Sequence, residues 1–202
     1  GSLAELFRMR VLWFIFPLMG VVYAISGAVR GLWIGPYLTD VFAADTTLVG
    51  QASLFMGLAM VIGALAYGAA DKHFPSRKWM IAGGTAVTLG AAMILIAMPT
   101  TSLILSVTLM CIIGFFGATY PVIMAHGRSF LPPHLIGRGV TMLNLFSIGG
   151  VGVAQFISGR VYRAALPPAS PEAPYVAVFV LFTALLSVGV LIYLFSRDSA
   201  SD

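Results

Sequence analysis

The stretch YVAVFVLFTALLSVGVLIYLF, residues 175–195, contains no charged residue and no proline, and its polar side chains are Tyr175, Thr183, Ser187 and Tyr193. A helix needs about 20 predominantly apolar residues to cross the roughly 30 Å hydrocarbon core of a bilayer. This stretch therefore predicts a transmembrane helix. Five more runs of the same kind precede it: residues 11–38, interrupted by Arg30, then 48–70, 79–98, 102–124 and 140–161. Pro99, Thr100 and Thr101 make a tight hairpin between the third and fourth, and a proline-rich link, residues 164–174, joins the fifth and sixth.

Composition agrees with six spans. The chain has 202 residues, 59% hydrophobic and 9% charged, against about 25% charged for a water-soluble domain. So few charges cannot cover the surface of a domain this size, and its outside must face lipid. A soluble enzyme, a nucleic-acid binder and a disordered linker are thereby excluded. Cys111 stands alone, and His73, His126 and His134 show no metal-ligand spacing. No phosphate-binding glycine fingerprint occurs. No enzyme activity, catalytic residue, cofactor, metal or nucleic acid is expected. The apolar stretch behind Arg8 and Arg10 is too long for a signal peptide and lacks a small-residue cleavage site.

Orientation follows from Lys and Arg in the short loops. One side collects eight of them: Arg8, Arg10, Lys72, Arg77, Lys78, Arg128, Arg138 and Arg197. The other collects Arg30, Arg160 and Arg163. The expected organisation is a cytoplasmic N-terminal segment 1–10, a six-helix transmembrane domain 11–196 and a cytoplasmic tail 197–202. Both termini then lie inside.

Many of the 22 glycines fall in the spans, including the G-x-x-x-G steps Gly27, Gly31 and Gly35 and the group Gly149, Gly150, Gly152 and Gly159. They read as close helix packing, or as hinges of a moving bundle. Polar residues concentrate in the first, second, fourth and fifth spans, which makes the third and sixth the expected outer helices. Arg30 is the sharpest feature, because a charge at the bilayer centre costs about 2.5 kcal/mol or more. It either snorkels to the external end, or faces a cavity where it meets an anionic solute or a carboxylate on another helix. No Asp or Glu falls inside the six predicted spans. Asn144 and Gln155, about three turns apart on one helix, either bond neighbouring helices or line a substrate path. Trp33 and Tyr37 suit an interfacial aromatic belt or an external gate.

Three motifs in register resemble the major facilitator superfamily. The loop from Gly68 through Asp71, Lys72, Arg77 and Lys78 is similar to that family's signature loop after the second helix, repeated in weaker form after the eighth. Here Gly68 stands three before Asp71 and Phe74-Pro75-Ser76 replaces the loop glycine, which points to the second-half copy. The run from Gly31 to Asp40 resembles the helix opening the C-terminal half, where glutamine often stands in place of Arg30. The run Gly137-Arg138-Gly139 through Asn144, with Gly149, Gly150 and Gln155 after it, resembles the loop and helix near the end of that half.

The resemblance implies an all-α, six-helix half of a transporter that moves a small solute by alternating access in a bacterial-type inner membrane. Its partner would be a second six-helix half, either another copy or a different chain. It makes Arg30, Asn144, Gln155, Trp33 and Tyr37 cavity residues, and Gly68, Asp71, Lys72, Arg77, Lys78 and Arg138 a cytoplasmic gate. An alternative from another class is a non-transporting membrane subunit or assembly factor that docks the same polar face on a larger complex.

Overall fold

A computed structural model describes residues 3–198. Residues 1–2 and 199–202, the outermost parts of the two expected terminal segments, lie outside the described residues. The described residues form helices joined by short turns and loops, without a strand. A short helix α1 (Leu3–Arg8) precedes α2 (Arg10–Ala28), which continues through a π-helical turn (Val29–Trp33) into α3 (Ile34–Phe42). Then come α4 (Thr46–Ala70), α5 (Arg77–Ala97), α6 (Leu103–Phe116), α7 (Tyr120–Ser129), α8 (Ile136–Ala164) and α9 (Ala173–Tyr193).

Six helical segments are long and apolar enough to cross a membrane: Arg10–Phe42, Thr46–Ala70, Arg77–Ala97, Leu103–Ser129, Pro133–Ala164 and Ala173–Tyr193. The first runs further than the predicted 11–38 and takes in Asp40, which accepts a hydrogen bond from the Tyr175 hydroxyl. One carboxylate thus does lie within a span, near its end. Segment 1–10, expected as a cytoplasmic N-terminal segment, contains α1.

Side-chain caps set several helix starts. Asp45 accepts from the Leu48 N–H at 2.8 Å, Ser76 from Trp79 at 3.2 Å and Ser102 from Leu105 at 3.4 Å, each answering a donor that the helix itself leaves unpaired. Two spans are irregular, and prolines explain where. Pro36 has no N–H and its ring crowds the carbonyl four residues back, which falls in the widened π turn. Pro121 opens α7 after the non-helical Gly117–Thr119 break.

α2 is the central helix, packed against α8, α9 and α7. α4 lies beside α6, α6 beside α5, and α5 beside α9. The close approaches occur at particular glycines. A Cβ on Gly150 of α8 would stand 1.8 Å from the Gly20 carbonyl oxygen of α2, and one on Gly63 of α4 would stand 2.3 Å from the Phe115 carbonyl oxygen of α6. Gly27, Gly31 and Gly35 instead meet only side chains at 3.4–3.8 Å, so the G-x-x-x-G steps are not where backbones touch.

α4 and α8 are the least covered spans, with 17% and 22% of their apolar windows buried, against 50% for α5 and 39% for α9. α5 and α9 satisfy their own hydroxyls. Thr85, Thr88, Thr183 and Ser187 each donate to the carbonyl four residues earlier, which makes a Thr or Ser nearly apolar to its neighbours.

Candidate functional site: a polar face between α4 and α8

α4 and α8 form the two edges of the bundle, and the face between them carries the polar side chains. Arg30 is exposed there, on the π turn. Its Nε donates to the Ser53 carbonyl at 3.4 Å, and a Cβ on Gly57 would lie 2.8 Å from that nitrogen. The absence of a side chain at Gly57 is what lets the guanidinium lie against α4. Ser53 and Gly57 stand roughly 10 to 16 Å along α4 from its first residue. Among the described residues no carboxylate pairs with Arg30; the ion pairs are Arg77 with Asp71, and His134 with Glu5 if protonated. The alternative of an internal partner carboxylate therefore fails within the described chain.

Arg30 and Tyr23 border a groove of about 410 Å3 walled by Leu54, Gly57, Leu58 and Val61 of α4. The Tyr23 ring stands 5.8 Å from that of Tyr120, whose hydroxyl donates to Asn144 Oδ1 at 2.6 Å. The polar line thus runs from Arg30 through Tyr23 and Tyr120 to Asn144, joining α2, α7 and α8. Gln155 lies further along α8, its amide nitrogen 3.8 Å from where a Gly31 Cβ would be. The structure therefore brings Arg30, Asn144 and Gln155 to one face. Sequence reasoning missed Tyr23. The signal was its position seven residues, about two turns, before Arg30.

Trp33 and Tyr37 are not on this face, nor at an exposed aromatic belt. Trp33 is 5% exposed, gives its indole N–H to Ser158 Oγ at 3.0 Å and packs on Tyr162 and Tyr175. Tyr37 is fully buried and its hydroxyl donates to the Pro99 carbonyl, with Ser106 Oγ at 3.0 Å. They belong to an aromatic cluster inside the end of the bundle remote from the termini, and the reading of the pair as an interfacial belt is corrected.

The predicted gate residues gather at the opposite end. Asp71 does not cap a neighbouring helix. Its carboxylate takes two bonds from Arg77, Nε to Oδ1 at 2.7 Å and Nη2 to Oδ2 at 3.0 Å, so the pair closes its own loop. The residue at the α5 N-terminus is Asp198, which accepts from Ser76 Oγ and from the Lys78 N–H at 3.3 Å. Lys78 Nζ donates to the Ser196 carbonyl at 2.9 Å. Buried His126, also missed from the sequence, contacts the Tyr193 hydroxyl at 2.7 Å and the Arg197 carbonyl at 3.0 Å. The start of the expected tail is therefore docked on the bundle. Gly68, Lys72 and Arg138 are exposed and take no part in this network.

Neither a protein-family model nor a curated protein matches this sequence.

Proposed function

We propose that this chain is one half of a solute transporter of the major facilitator type, set in a bacterial-type inner membrane with both termini cytoplasmic and working by alternating access against a second six-helix half. The observation that supports the reading most is the polar face. Arg30, Tyr23, Tyr120, Asn144 and Gln155 share one side, flanked by uncovered apolar walls on α4 and α8. A charge and an amide at membrane depth are costly against lipid, and are retained where they meet water, a solute or a partner. The apolar walls suit contact with the second half, leaving the polar strip between the halves as the solute path. Arg30, with no carboxylate partner among the described residues, favours a solute bearing an anionic group.

The test is uptake into proteoliposomes, screened with mono- and dicarboxylates and with neutral sugars as controls. Losing one charged hydrogen bond costs about 1.5–3 kcal/mol, so Arg30→Gln is expected to weaken binding by roughly 10- to 100-fold. Tyr120→Phe, which releases Asn144, is expected to lower affinity less. Unchanged uptake and affinity in Arg30→Gln would reject the binding role. The same uncovered walls of α4 and α8 also suit a non-transporting subunit docked on a larger complex. Native mass spectrometry after mild extraction separates the two: a homodimer or a pair with another six-helix chain supports transport, and recovery inside an unrelated assembly supports docking.

A further inference from the structure

The other flank of α8 is built differently. Asn144 and Gln155 look toward α7 and the π turn, whereas Leu145, Gly149, Val153 and Ile157, one helical turn apart, border an apolar crevice of about 450 Å3. Its floor is Gly20 and Val21 of α2, and Leu185 of α9 contributes to the far wall. Leu145 to Ile157 is twelve residues of helix, roughly 18 Å. It lies across the middle of the span Pro133–Ala164.

Toward the end that carries the termini, the crevice meets a second hollow of about 510 Å3, sharing Leu145 and Phe146 with it. Phe7 and exposed Arg138 border this mouth. Phe146 stacks on Phe16 at 4.3 Å, and Trp13, 49% exposed, stands 6.1 Å from Phe16 and 5.9 Å from Phe7. The Trp13 indole N–H is held by the Phe7 carbonyl at 2.8 Å. Arg8 and Arg10 flank this collar in the chain, and the nearby acid Glu5 is 3.7 Å from His134. A tryptophan with its polar edge satisfied, beside cations and above an apolar slot, matches the headgroup level of a bilayer.

We infer that this crevice is a binding site for one anionic phospholipid, its phosphate at Arg138 and one acyl chain laid along Leu145, Gly149 and Val153. Exposed Arg138 at the mouth favours a lipid headgroup over a partner helix, whose packing would bury that charge. The inference needs only that the helices lie in a bilayer, and it does not depend on transport.

The test uses the full chain carrying Trp79→Phe, which leaves Trp13 at the mouth and Trp33 buried. It is reconstituted in phosphatidylcholine vesicles containing increasing fractions of phosphatidylglycerol with dibrominated acyl chains, or of dibrominated phosphatidylcholine as reference. One basic residue near a headgroup is worth about a fivefold preference, so half-maximal quenching of Trp13 is expected at about one-fifth the mole fraction for the anionic lipid. Arg138→Gln should merge the two curves. Gly149→Leu, at a position with nothing within 4 Å of a Cβ, should fill the crevice and reduce quenching by both lipids. Coincident curves in the parent, or curves unmoved by Arg138→Gln, would overturn the site. Absence of quenching by either lipid would also overturn it, because polypeptide would then cover the crevice.

Discussion

Gly149 and Gly150 are neighbours in sequence and in helix α8, yet the packing assigns them opposite responses to the same methyl group. At Gly150 a Cβ would sit 1.8 Å from the Gly20 carbonyl oxygen, 2.7 Å from its carbon and 3.0 Å from its Cα. The first of these is roughly 1.6 Å short of the 3.4 Å at which ordinary contact begins. The obstacle is backbone, which cannot rotate aside as a side chain would, so α2 and α8 must separate. A gap of 0.5–1 Å already forfeits about a quarter to a half of each dispersion well, and here the opening acts along the main contact of the central helix. Overpacking costs about 1–3 kcal/mol in general, and this geometry belongs at the upper end. Against it stands the better helix propensity of alanine, about 0.8–1.0 kcal/mol. Gly150→Ala is therefore expected to destabilise by about 2 kcal/mol net. Gly149→Ala, with open space at its Cβ, gains the propensity alone, up to about 1 kcal/mol.

The comparison is made by unfolding each variant in dodecyl maltoside micelles with rising SDS, followed by far-ultraviolet circular dichroism. Adjacent alanines should differ by about 3 kcal/mol in opposite directions. Equal midpoints, within the roughly 0.5 kcal/mol typical of neutral surface changes, would mean that α2 and α8 do not meet at Gly20 and Gly150, and the helix arrangement built around that contact would be wrong.

Two further outcomes test the end that carries the termini. Asp71→Asn removes one partner of a bidentate pair whose side chains are only 19% and 11% exposed, and is expected to cost about 1–3 kcal/mol in the same unfolding assay, with Arg77→Gln costing no more than the pair as a whole in the double variant. Single cysteines at Lys72 and Ala169, in a Cys111→Ala background, should label with an impermeant maleimide from opposite sides of the membrane, Lys72 from the cytoplasm; labelling of both from one side would remove the six-span topology.

The spans were legible in the sequence because lipid imposes a simple rule on them: length and apolarity alone satisfy it. Arg30, Asn144 and Gln155 were legible for the same reason, as departures from that rule. What the sequence did not disclose depends on rotation about helix axes and on partners far along the chain. Nothing local distinguishes Gly149 from Gly150, since only the crossing of α8 over α2 decides which one meets Gly20. Trp33 and Tyr37 have the composition of an interfacial belt, but the bundle turns them inward onto Ser158 and Pro99. The hydroxyls of α5 and α9 suggested nothing of burial because they are satisfied within their own helices.

The two irregular spans show how a fold in lipid can carry a break without exposing backbone. α6 stops at Phe116 and α7 starts at Tyr120, which frees carbonyls at a depth where no bulk solvent can satisfy them. The Ile113 carbonyl accepts from the Gly117 N–H at 2.9 Å and from Ser26 Oγ of α2 at 3.2 Å. The Phe115 carbonyl accepts from the Ala118 N–H at 3.3 Å, and the Phe116 carbonyl from the Tyr67 hydroxyl of α4 at 3.3 Å. Tyr67 reaches that carbonyl only because Gly84 of α5 leaves room: a Cβ there would fall 1.8 Å from the hydroxyl. Side chains from α2 and α4, and a glycine on α5, thus hold one break in place. The break in turn starts α7 at Tyr120, close enough for its ring to meet Tyr23 and its hydroxyl to reach Asn144. The middle of the polar face, Tyr120 with Tyr23 and Asn144, thus depends on the interruption of the fourth span.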